Sequence, residues 1–154
     1  MAKGIYLETM LMQSAAFKAI KSANTMRVLM EFYRRRVFHR RKNNTPLIMN
    51  NGQIELPYKY AIEKMDIPQT TFSRCLDELV ELGFLDIAEQ ANGLHRRATK
   101  WHLSDRWKAY NSDEFRPVRR QHIKPPHGKK GTRGQAFGNS QKKIPVTMNG
   151  IKIA

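Results

Sequence analysis

The 154-residue sequence has one cysteine, Cys75, no acidic residue after Glu114, and no apolar run near the roughly 20 residues of a membrane span. A single cysteine excludes an internal disulfide and leaves no Cys-based zinc site to expect. Met1–Gly4 opens without the charged and apolar regions of a secretory leader, so a soluble protein of the reducing cytoplasm is expected. His39, His95, His102, His122 and His127 share no metal-ligand spacing with the cysteine or with an acid pair. Gly128–Gly131 and Gly131–Gly134 are glycine-rich and basic, but they lack the spacing of a phosphate loop and the strand that precedes one. No Ser/His/Asp set or carboxylate pair stands out. The expectation is a protein with no catalytic residues, no metal, no cofactor and no small-molecule ligand.

What the sequence does have is positive charge. Lys and Arg number 28 against 13 Asp and Glu, for a net charge of +15. The excess is uneven: residues 1–114 hold 18 basic and 13 acidic side chains, whereas residues 115–154 hold 10 basic and none acidic. That second stretch also carries four of the seven prolines and five of the nine glycines. A segment so polar, and of one sign, cannot bury enough apolar surface to offset its ordering entropy. The organisation expected is an N-terminal extension over 1–13, a folded domain over 14–114, and a basic, largely disordered tail over 115–154 beginning near Arg116–Pro117. Its last residues, Ile144–Ala154, turn apolar again and suit a strand added to a partner or folded back. Such a composition points to a polyanionic partner.

Within the domain, Ser14 suits the start of a short helix over Ser14–Ile20, and Ser22 or Asn24 suits the next start. The second helix is expected over Thr25–His39, with Met26, Leu29, Phe32, Tyr33 and Val37 at three- and four-residue spacing. Arg34, Arg35, Arg36, Arg40, Arg41 and Lys42 would crowd its C-terminal end and complement the helix dipole. Asn50-Asn51-Gly52, between two short apolar stretches, predicts a small hairpin or one short strand. Pro57 suits the first position of a helix over Tyr58–Met65. Asp66-Ile67-Pro68 is a turn with an apolar plug, and Gln69–Leu82 is a further helix. There Phe72, Leu76, Leu79 and Val80 or Leu82 share one face, with Thr70, Thr71, Ser73, Arg74, Asp77, Glu78 and Glu81 opposite. Gly83 is expected to end it in the left-handed conformation. The period then changes to that of strands: Phe84–Glu89, a loop with Asn92-Gly93 at its tip, and Thr99–Leu103. Phe84 and Trp101 are expected in the core, Cys75 as a buried small hydrophobe and His102 facing outward. Trp107 and Tyr110 either pack a last helix on the domain or present a homodimer surface. The fold class is α+β, mostly α.

Four segments carry a resemblance. Ser14–Ile20, the helix with Val28-Leu29, the stretch Ile67-Pro-Gln-Thr-Thr-Phe-Ser-Arg-Cys-Leu-Asp-Glu-Leu-Val-Glu-Leu-Gly-Phe-Leu85, and Thr99-Lys-Trp-His-Leu103 together resemble winged helix-turn-helix proteins of bacterial phages, prophages and plasmids. Coverage runs from Ser14 to Asn111. The resemblance implies a double-stranded DNA-binding module of the kind used in transcription regulators and replication initiators, working in a bacterial cytoplasm. In a helix-turn-helix, the leading end of the second helix meets base edges in the major groove. Gln69, Thr70, Thr71, Ser73 and Arg74 occupy that position, with residue types suited to adenine, guanine and phosphate. Asp77, Glu78 and Glu81 lie one or two turns further back, clear of the groove. The loop between the last strands would bring His95, Arg96, Arg97 and Lys100 to the flanking backbone. Auxiliary phosphate contacts are expected from Arg34, Arg35, Arg40, Arg41, Lys42, Arg119, Arg120, Lys129 and Lys130. Two alternatives stand beside this: an RNA-binding or ribosome-associated basic protein, and a winged-helix protein–protein adaptor.

Overall fold

Ser14 and Ser22 start helices as expected: Ser14 Oγ accepts from the Phe17 amide at 3.1 Å, and Ser22 Oγ accepts from the Thr25 amide at 3.0 Å. The computed structural model describes residues 4–40, 46–91 and 98–121. Among these, the elements in order are α1 (Thr9–Gln13), α2 (Ala15–Lys18), α3 (Ala23–Arg34), β1 (Phe38–Arg40), β2 (Pro46–Ile48), β3 (Ile54–Glu55), α4 (Tyr58–Met65), α5 (Gln69–Glu81), β4 (Leu85–Glu89) and β5 (Lys100–Leu103). A 3₁₀ helix, Arg106–Ala109, follows. The class is α+β with small antiparallel sheets: β1 pairs with β2, and a second sheet has the order β3-β5-β4. In that sheet Trp101 stands opposite Ile54 on one side and Ile87 on the other, and a bulge between Ile87 and Glu89 shifts the register. No helix among the described residues is long and apolar enough to cross a membrane.

The core forms where α3 packs on α5 and both meet the three-stranded sheet. Val28, Leu29, Phe32, Phe72, Leu76, Leu79 and Trp101 are buried there, with Phe32 and Trp101 edge to face at 5.9 Å. Cys75 is buried, and Phe84 stacks on Trp107 at 6.2 Å. Trp107 therefore packs inward, and α2 lies against the 3₁₀ helix that carries it. Arg106 ties this corner together. Its guanidinium donates to the Val80 carbonyl at 3.0 Å, the Leu85 carbonyl at 3.2 Å and Asp86 Oδ1 at 3.0 Å.

Four expectations are corrected. The helix expected to reach His39 stops at Arg34, because Phe38–Arg40 pairs with β2, with Phe38 opposite Ile48. Beside it, Arg35 and Arg36 turn back: Arg35 donates to Glu31, and Arg36 to the Tyr33 carbonyl, its guanidinium lying over the Tyr33 ring. The small hairpin or single short strand expected around Asn50-Asn51-Gly52 is a turn between two strands of different sheets. The two asparagine side chains face separate partners, Asn50 bonding Val37 N and Arg35 O while Asn51 bonds both N and O of Leu103. Residues 1–13, expected as an extension outside the domain, contribute Leu11 of α1 to the core. Finally, the chain past Glu114 does not leave the domain at once: the compact unit runs through Arg120, and Phe115 meets Tyr110 edge to face at 5.2 Å. The expectation of disorder over 122–154 lies outside the described residues.

Candidate nucleic-acid interface

The pair α4–α5 is set by its turn. Asp66 takes the left-handed conformation (φ 56°), Ile67 is fully buried, and its amide donates to the Ala61 carbonyl at 3.0 Å. Arg27, from α3, donates to the Met65 carbonyl at the end of α4 and so fixes that helix against its neighbour. Pro68 precedes α5 and offers no side-chain cap, so no side chain of that residue shields the first amides of α5.

Gln69, Thr70 and Arg74 are exposed on the leading turns of α5, and Thr71 and Ser73 are half-buried. Arg74 has neither an ion pair nor a side-chain hydrogen bond among the described residues. The acids behind it are all engaged. Glu78 accepts from Thr25 Oγ1 and from the Lys21 amide, each at 2.6 Å, which binds α5 to the start of α3. Asp77 Oδ1 accepts from Arg120 Nε at 2.7 Å, and Glu81 lies 3.7 Å from Arg119 Nε. The Arg120 guanidinium also donates to the Ser73 carbonyl at 3.1 Å, to Ser73 Oγ, and to Tyr58 Oη at 3.3 Å. The segment 116–120 thus lies along one flank of α5 and leaves the leading turn open.

The other expected contacts divide sharply. Lys100 is paired with Glu89 at 2.7 Å across β4 and β5. Arg34 and Arg35 both bind Glu31, at 2.7 and 2.8 Å; Arg34 reaches Tyr60 Oη, and Arg35 lies over the Tyr60 ring and donates to the Glu55 carbonyl. Burial alone would raise the Glu31 carboxyl, yet the hydrogen bonds from the two arginines outweigh it and hold the group below the ordinary glutamate value. These two cations are occupied inside the domain. Arg40 is the last residue of β1. Arg41, Lys42, His95, Arg96, Arg97, Lys129 and Lys130 lie outside the described residues.

Sequence reasoning missed two contributors, Thr25 with its hold on Glu78 and the return of Arg119 and Arg120 onto α5. The only signal for the second was the four-residue spacing of Asp77 and Glu81, which suits a pair of adjacent cations crossing one helix face. Among the described residues, no group of three or more His, Cys, Asp or Glu is placed to hold a metal ion. The chain returned no match when compared with protein-family models, with curated proteins and with solved structures.

Proposed function

We propose that this protein binds double-stranded DNA through a winged helix-turn-helix, and serves transcription regulation or replication of a mobile genetic element. The observation that carries the reading is the state of α5. Its leading turn presents Gln69, Thr70 and an Arg74 uncommitted among the described residues, while Asp77 and Glu78 are held by the protein's own groups and Glu81 lies at the trailing end, loosely paired with Arg119. A helix presented in this way can place its first turn in a major groove, with Arg74 bidentate to a guanine and Gln69 to an adenine. The order α3, β1, β2, β3, α4, α5, β4, β5, with the second sheet ordered β3-β5-β4, supports the winged arrangement, because it sets a strand pair directly behind that helix. The link to mobile elements rests on the resemblance of the Ile67–Leu85 segment to phage and plasmid proteins. Seven cations beyond Gln121 add sequence-independent affinity by releasing counterions from the duplex.

The test is selection of bound sequences from a random duplex pool, followed by Arg74→Gln on the selected site. The expected loss is about 10- to 100-fold at that site, as for one bidentate base contact, with little loss on unrelated duplex. Equal binding of every sequence by both proteins would refute base reading by α5.

A further inference from the structure

We infer that Arg120 acts as a charge mask for α5, holding the Asp77 carboxylate out of the electrostatic field met by the DNA backbone. The inference rests on the DNA-binding reading and assigns a positioning residue to that same interface.

By formal charge α5 is a poor polyanion ligand, since Arg74 is followed by Asp77, Glu78 and Glu81. Each acid is dealt with differently. Glu78 is turned toward α3, where Thr25 Oγ1 and the Lys21 amide bind its two oxygens. Glu81 lies at the trailing end, and its partner Arg119 has a side chain 88% exposed, so that pair contributes little. Asp77 is the acid that matters. It stands one turn beyond Ser73 and three residues beyond Arg74, within the distance over which a carboxylate repels phosphate at ordinary salt.

Arg120 meets it with a built site. The Arg120 side chain is only 10% exposed, and its donors are divided among Asp77, Ser73 and Tyr58. A guanidinium so fully engaged is poorly placed to bind phosphate itself, because a phosphate would have to replace three fixed partners. Its charge nonetheless cancels that of Asp77 at the helix surface. The cation is therefore supplied to the reading helix from 43 residues downstream.

The experiment uses the full chain and a mixed-sequence DNA duplex, with affinity measured at fixed low salt for wild type, Arg120→Gln, Arg120→Lys, Asp77→Asn, the double variant Asp77→Asn/Arg120→Gln, and Arg74→Gln on the selected site. Arg120→Gln is expected to weaken binding about tenfold, the order for one like charge several ångströms from a phosphate. The double variant is expected to return close to wild type, because removing the carboxylate removes the need for the mask. Arg120→Lys keeps the charge and is expected to bind like wild type even if its melting temperature falls, which separates charge from support of the fold. Wild-type binding by Arg120→Gln would overturn the inference, as would a double variant no better than Arg120→Gln. Those outcomes leave the DNA reading intact so long as Arg74→Gln still loses its site. Duplex binding that neither Arg74→Gln nor Arg120→Gln alters removes both the mask and base reading by α5.

Discussion

Replacing Gly83 by alanine tests how tightly the end of α5 is joined to the 3₁₀ helix. Gly83 has φ 88°, and a Cβ there would stand 2.7 Å from the Trp107 nitrogen and 2.9 Å from the Arg106 carbonyl carbon. Both are backbone atoms, so no side-chain rotation relieves the contact. The left-handed conformation alone costs a non-glycine residue roughly 1–2 kcal/mol. Moving the 3₁₀ helix away also weakens the Trp107 N–H to Gly83 carbonyl bond and the Phe84–Trp107 stack. The expected total is about 3–4 kcal/mol, or a fall of about 12 °C in Tm for a unit of this size. Gly52 is the control. Its φ is 84°, nearly the same, but a Cβ there would meet only Ala88 Cβ at 3.8 Å and His102 Cδ2 at 4.0 Å, ordinary contacts. Gly52→Ala should therefore show the backbone cost alone, about 1–2 kcal/mol. The reduced entropy of an unfolded alanine chain offsets both variants equally and cancels in their difference. Thermal and urea unfolding followed by circular dichroism would measure both, and equal destabilisation would refute the close-approach argument.

Two further outcomes follow from charge. The carboxyl of Glu31 is held below its ordinary value in the fold, so the unfolded chain binds the proton more readily; the associated stability is present above about pH 4.3 and is lost as pH falls below it. Glu31→Gln should lower stability by about 1–2 kcal/mol at pH 7 and narrow its gap from wild type as pH falls through that range, read from urea midpoints; a gap constant with pH would contradict the assignment. Removing residues 122–154 should flatten the dependence of log K on log salt by up to about 0.9 for each phosphate that the tail neutralises, while Arg120 and its partners stay in place. An unchanged slope would exclude the tail from the proposed DNA interface.

Much of the α4–α5 region was legible in the sequence because its determinants are local. The three- and four-residue spacing of Phe72, Leu76, Leu79 and Val80, the plug Ile67 and the stop Gly83 all act within a few residues of their own position. The strand pair behind it was legible through the alternation of Trp101, His102 and Leu103. The errors share one physical cause, a partner far along the chain. Val37 continues the helical spacing from Tyr33, yet the adjacent Phe38 has a better partner in Ile48 and the chain extends to reach it. Asn50 and Asn51 have the composition of a hairpin turn, but their amides are taken by Arg35 and Leu103. Arg34 and Arg35 read as free cations until Glu31 and Tyr60 are placed beside them. Arg120 sits in a stretch whose composition speaks for an arm, and only the position of Asp77 shows that it belongs to the domain.

The packing of α2 against the 3₁₀ helix has a consequence for synthesis of the protein. An early and a late piece of the unit are neighbours, so closure there waits for Trp107. A nascent chain halted before that residue would have made α1 to β5 while the face of Phe84 stayed open to water. A ribosome pausing there would prolong the exposure of an apolar face on an incomplete chain, the kind of surface that favours aggregation.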